Sequence, residues 1–149
     1  LARKLFFDCA DFEVYTQISE LGMTAGEALL LPHLSYLKPL DGLLDRGVIK
    51  GLAHITGGGL TDNIPRILPE GTAVKIDKGS WPIPPLFELL RQLGNVSQSE
   101  MYRTFNMGVG MVIVCAPSDA ATIEGHLRER SEACYRIGEV VTGKREVLI

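Results

Sequence analysis

Three consecutive glycines, Gly57-Gly58-Gly59, follow the short apolar stretch Leu52 to Thr56 and precede a helical turn expected over Thr61 to Leu68. Glycine gives up more backbone freedom on folding than any other residue, so such a run is costly inside a regular element. It belongs where the chain needs positive φ or where another group approaches the main chain closely. The run therefore marks a sharp strand-to-helix turn. Other segments extend the alternation. Ala73 to Asp77 alternates like a strand, and Met111 to Ala116 is a continuous apolar run expected to form a central strand buried on both faces. Arg136 to Val141 and Glu146 to Ile149 read as two closing strands around Thr142-Gly143.

The helical signals lie between these strands. Residues 1 to 23 suggest a helix followed by irregular chain. Thr24 can cap a helix running to Leu31, with Pro32 as the stop. Leucines at helical spacing predict a helix over Tyr36 to Arg46, closed by Gly47. Pro84-Pro85 opens a helix from Leu86 to Leu93 that Gly94 closes. Ser97-Gln98-Ser99-Glu100 has the form of a capping box, and Ser118 is placed to cap a helix to Arg130. Strands and helices alternate through short loops, which gives an α/β or α+β class and one domain over residues 1–149.

Composition narrows the function classes. The chain has 149 residues, 46% of them hydrophobic, enough for a substantial core. Its 15 basic and 18 acidic residues include no basic block, which argues against nucleic acid as a partner. No apolar run approaches the roughly 20 residues of a membrane helix. The start, Leu1 to Asp8, is too short and too soon acidic for a signal peptide, and it begins without Met inside an apolar stretch. It reads as a cut within a longer protein. Cys9, Cys115 and Cys134 have no CxxC spacing, which suggests free thiols in a reducing compartment. No metal-ligand spacing links them to the three histidines.

Two segments carry candidate chemistry. In the first, His54-Ile55-Thr56-Gly57-Gly58-Gly59-Leu60-Thr61-Asp62-Asn63-Ile64-Pro65-Arg66, unpaired N–H groups at a helix start can form an anion pocket. Thr56, Thr61 and Asn63 add polar groups, and Arg66 adds a fork of donors. A tight turn without ligand accounts for the same residues equally well. His54 is either a substrate hydrogen-bond donor or acid, or a structural prop of the turn. His33 and His126 look isolated and solvated. In the second segment, Glu100 to Met111, Asn106, Gly108 and Gly110 can line a cleft, although an ordinary helix-to-strand connection is the simpler reading. Known glycine codes fail: Asp62 and Ile113 stand where dinucleotide fingerprints need glycine, and Arg145 stands where a P-loop needs Ser or Thr.

His-Ile-Thr-Gly-Gly-Gly, Asn-Ile-Pro-Arg and Met-Tyr-Arg-Thr-Phe-Asn-Met-Gly-Val-Gly-Met resemble the C-terminal half of the phosphoribosylformylglycinamidine cyclo-ligases, the aminoimidazole ribonucleotide synthetases. The resemblance extends over nearly the whole chain and includes Leu1-Ala2-Arg3-Lys4, Trp81 and Arg136-Ile137-Gly138. It departs at Pro32-His33-Leu34-Ser35-Tyr36, where the family has Thr and a basic residue after Pro. The resemblance implies a three-layer α/β/α sandwich with a mixed sheet and partial likeness to a ferredoxin-like fold. It implies a cytoplasmic, homodimeric enzyme of de novo purine biosynthesis that acts on formylglycinamidine ribonucleotide with ATP and Mg2+. Formyl oxygen is a poor leaving group, and the family is understood to phosphorylate it before the amidine nitrogen closes the ring. ATP, Mg2+ and the dimer contact are expected mainly on an N-terminal domain outside this chain, with no tightly bound cofactor and no metal ligand here. Gly57 to Asn63 and Asn106 to Gly110 are expected to supply one cleft wall, with the substrate's phosphate as the anion. Without the resemblance, the alternatives are a non-catalytic phosphate-binding or interaction module, or a related ATP-dependent enzyme.

Overall fold

A computed structural model describes residues 1–149. The fold begins with a π-helical segment, Lys4–Cys9, that buries Leu5 and Phe6. A two-stranded hairpin follows, β1 (Gln17–Ile18) with β2 (Met23–Thr24). Thr24 then starts α1 (Ala25–Leu29) through a complete capping box: its hydroxyl accepts from the Glu27 N–H, and the Glu27 carboxylate accepts from the Thr24 N–H.

The leucine-periodic stretch after Pro32 does not form the single helix its spacing predicts. It gives α2 (Leu37–Leu40) and a separate 3-10 turn, Leu44–Arg46. Gly42 between them adopts φ +77°, a left-handed geometry that interrupts any helix. Gly47 does close the second turn, at φ 66°.

β3 (Ile49–His54) leads through the glycine run into α3 (Gly59–Asn63), which starts two residues earlier than predicted and tightens into a 3-10 turn over Ile64–Ile67. β4 (Thr72–Ile76), α4 (Pro85–Leu93) and α5 (Gln98–Thr104) match the sequence reading closely. Only half of the second capping box forms: the Ser97 hydroxyl accepts from the Glu100 N–H, while the Glu100 side chain accepts from the Thr104 hydroxyl. β5 (Met111–Cys115) precedes a 3-10 turn and α6 (Ala120–Glu129), which begins after Asp119 rather than Ser118. β6 (Gly138–Thr142) and β7 (Val147–Leu148) end the fold.

The class is α+β, with helices and small mixed sheets, but the strands do not join one sheet. They form a β1–β2 pair, a β3–β5 pair and a three-stranded sheet ordered β6-β4-β7. β5 is not a central strand, since β3 is its sole partner, antiparallel from Ile49↔Cys115 to His54↔Met111. Both faces of this ribbon are nevertheless covered. Ala53, Ile55 and Val112 pack into the main core with Leu60, Ile64, Met101 and Tyr102. Leu52, Ile113 and Cys115 face a second cluster of Leu40, Leu43, Ile123 and Leu127. Period-two alternation sends neighbouring side chains into opposite cores, which explains the unbroken apolar run. β6 and β7 do not pair with each other as a closing hairpin. β4 lies between them, antiparallel to β6 and parallel to β7.

Candidate functional site

The glycine run assigns its three residues three different tasks. Gly57 is exposed, and a side chain there would meet nothing within 4 Å. Gly58 takes φ +95° and caps α3 beneath Asp62, whose Cβ would lie 2.7 Å from a Cβ on Gly58. Gly59 is buried at φ +56° against α5, where an added Cβ would overlap the Tyr102 carbonyl oxygen and lie 2.6 Å from that of Phe105. The glycines thus bring β3 and α3 directly under α5.

Asn63 fixes this turn from inside. It is 4% exposed, and its amide nitrogen donates to the carbonyls of Gly59 at 2.8 Å and Gly57 at 3.2 Å, with Thr56 at 3.5 Å. Buried polar groups need such partners. The side chain is therefore committed to the backbone, and it closes the loop instead of pointing a free donor outward. Gly57 and Gly58 donate their own N–H groups to no backbone carbonyl.

The second segment folds as a tight turn beside the first. The Gly108 N–H donates to Asn106 Oδ1 at 3.0 Å, and the Val109 N–H donates to the Asn106 carbonyl at 2.9 Å. Met107 sits at φ 51°, and buried Trp81 holds its carbonyl through Nε1 at 2.9 Å. Asn106 Nδ2 makes no hydrogen bond within the chain. Gly108, at φ +90°, lies against Pro84. Gly110 lies under the Tyr36 hydroxyl, where a Cβ would come 2.9 Å from Cζ of that ring.

The two segments meet. A groove of about 320 Å³ is lined by His33, Ile55, Thr56, Gly57, Thr104, Phe105 and Asn106. Thr56, Gly57 and Asn106 are the sequence-predicted residues that it brings together. His54 adjoins it at the end of β3, while Gly58, Gly59, Thr61, Asn63, Arg66, Gly108 and Gly110 lie outside its lining. Arg66 is exposed and makes no ion pair or hydrogen bond. A larger depression of about 440 Å³, around Glu124, Arg128 and Cys134, holds none of the residues that the sequence reading assigned to the site.

His33 is the residue the sequence reading missed. It is not isolated: its Nε2 lies 2.7 Å from Nε2 of His54. Tyr36 stands edge-on to both rings, at centroid distances of 6.3 Å and 5.9 Å. Burial, and then the Glu132 carboxylate, push the Tyr36 phenol above its ordinary range, so it stays protonated as a donor. The place of His33 in the one segment that departs from the family pattern was the available signal. His126 is not solvated either. It is buried, within hydrogen-bond reach of the Pro39 carbonyl and of Arg130.

Comparison with known proteins places the chain in a family. Residues 9–149 match the family model described as AIR synthase related protein, C-terminal domain. A phosphoribosylformylglycinamidine cyclo-ligase of Thermoanaerobacter sp. (strain X514) is 49% identical over 149 residues, which is 100% of this chain and 44% of the relative. One from Brevibacillus brevis is 43% identical over 148 residues, covering 99% and 43% of the two chains. One from Neisseria meningitidis serogroup C is 50% identical over 117 residues, covering 78% and 34%. The chain thus spans less than half the length of the curated relatives it matches. With the family model covering nearly all of it, the chain belongs to the AIR synthase related family, as a C-terminal domain.

Proposed function

We propose that this chain is the C-terminal part of an ATP-dependent cyclo-ligase that closes the imidazole ring of aminoimidazole ribonucleotide from formylglycinamidine ribonucleotide, in a cytoplasmic homodimer. The observation that carries the reading is the groove where Thr56 and Gly57 of the glycine segment face Asn106 of the second segment. The family resemblance rests on those same two segments. The Gly57 N–H, the Thr56 hydroxyl and Asn106 Nδ2 are neutral donors lining the groove, suited to the oxygens of the substrate's ribose phosphate. Asn63, Gly58 and Gly59 support this lining without touching the ligand.

The groove does not fit magnesium. Its lining holds hydroxyls, an amide and imidazole but no carboxylate, and no group of three or more His, Cys, Asp or Glu converges anywhere in the chain. The donors here are assigned to binding and orienting the substrate. Nucleotide, metal and most of the dimer contact are assigned to the part of the protein that this chain does not span. Positioning of this kind lowers the barrier by holding the reacting nitrogen and carbon in place.

Two measurements test the reading. Phosphate titrated into the chain should shift the amide resonances of Thr56, Gly57 and Asn106 with millimolar affinity, and Gly57→Val should abolish the shifts. Shifts centred elsewhere would remove the groove as the phosphate site. The chain alone should release no ADP in the presence of formylglycinamidine ribonucleotide and ATP. Mixed with the N-terminal part of the Thermoanaerobacter relative, it should do so. Turnover by the isolated chain would refute the division of labour.

A further inference from the structure

We propose that His33 and His54 form a binding site for a divalent transition-metal ion of the zinc class, at the edge of the groove. The proposal stands apart from the phosphate reading and rests on the histidines alone. The two Nε2 atoms converge to 2.7 Å, with the rings tilted by 50° at a centroid distance of 4.8 Å. Both residues are exposed, so neither ring needs the other to satisfy a buried nitrogen. Without an ion, one Nε2 must carry its proton and the other must present its lone pair, and either ring can take either role. A metal ion accepts both lone pairs at once.

The geometry requires a local adjustment. Two zinc–nitrogen bonds of about 2.0–2.1 Å at a tetrahedral angle separate their nitrogens by about 3.3 Å. The rings need to part by about 0.6 Å and to tilt from their nearly head-on contact until both lone pairs point at one ion. His54 is the last residue of β3 and is held by its pairing with Met111. His33 lies on the irregular segment between α1 and α2, where side chain and backbone are free to follow. Tyr36, edge-on to both rings, keeps them facing each other.

No third histidine, cysteine or carboxylate joins the pair. The protein therefore supplies two of four positions, and water completes the set. Two neutral imidazoles favour zinc, nickel or copper over magnesium or calcium, which need oxygen donors. An open site of this kind binds weakly, and it adjoins the groove through His33, which lines it with Thr56 and Gly57.

The probe is Zn2+ alone, followed through the imidazole nitrogen resonances, which separates this site from the three thiols. Both Nε2 resonances should move together and saturate at one ion per chain, and Mg2+ should leave them unmoved. His33→Ala should abolish the shift of His54, and His54→Ala that of His33. Each should weaken the affinity at least as much as the roughly tenfold loss that removing an outer-shell partner causes. If Zn2+ shifts one ring alone, shifts neither, or binds equally well to the single variants, the site does not exist.

Discussion

Replacing Gly59 by alanine isolates the packing that brings the two candidate segments together. The new Cβ would meet backbone, not a side chain that can rotate away: it overlaps the Tyr102 carbonyl oxygen and lies 2.6 Å from that of Phe105. α3 must then move off α5. An L-residue at φ +56° also carries left-handed strain of about 1–2 kcal/mol. Overpacking of a close contact adds about 1–3 kcal/mol, so the variant should lose about 2–5 kcal/mol, a large part of a typical domain's 5–15 kcal/mol. For a chain of this size that corresponds to a fall in Tm of about 10 °C. Gly57→Ala is the matched control. With no heavy atom within 4 Å and no positive φ, it should stay within about 0.5 kcal/mol of the parent. Urea unfolding of both variants checks the contrast. Should Gly59→Ala unfold within about 1 kcal/mol of Gly57→Ala, the tight α3–α5 contact is not what the glycine serves.

Asn63→Ala leaves the carbonyls of Gly57 and Gly59 without their buried donor and should cost about 1–3 kcal/mol in urea melts. Asn63→Asp keeps the shape but sets a carboxylate against those carbonyls, and it should be the less stable of the two above pH 5. Trp81→Phe keeps a ring in the core and removes the donor to the Met107 carbonyl, so it should cost about 1–3 kcal/mol and speed amide exchange around Gly108 and Val109. Glu88 accepts from Arg91 and Gln92, and these bonds hold its carboxyl at about 2 against an ordinary 4.5. Because the folded value is the lower one, its support of α4 is complete above pH 4.5 and fades as pH falls toward 2. Side-chain carbon NMR should place its titration there, and Arg91→Ala should return it toward the ordinary range.

Local signals were readable in proportion to how locally they act. Pro84-Pro85 and Gly94 bracket α4, and Thr24 with Glu27 starts α1, because each device works within one turn of helix. The leucines from Tyr36 to Arg46 misled because periodicity counts side chains and does not register that Gly42 breaks the backbone. Sheet partners were beyond reach. The apolar run Met111 to Ala116 is the same whether its two faces belong to one sheet or to a two-stranded ribbon between two cores. The meeting of Thr56 and Gly57 with Asn106 followed from the family resemblance, not from any spacing. The His33–His54 contact joins residues 21 apart through tertiary structure, and no pattern in the sequence announces it.

The place of β4 between β6 and β7 bears on how the protein is made. A ribosome releases Thr72–Ile76 long before Gly138–Thr142 and Val147–Leu148, so the central strand emerges with both edges open. Its apolar residues Ala73, Val74 and Ile76 stay unprotected while more than sixty further residues are added. Unpaired strand edges of this kind invite pairing with other nascent chains. The sheet can close only when Val147–Leu148 are free of the exit tunnel. Stalling or premature termination within those residues should therefore yield aggregates, not a partly folded sheet.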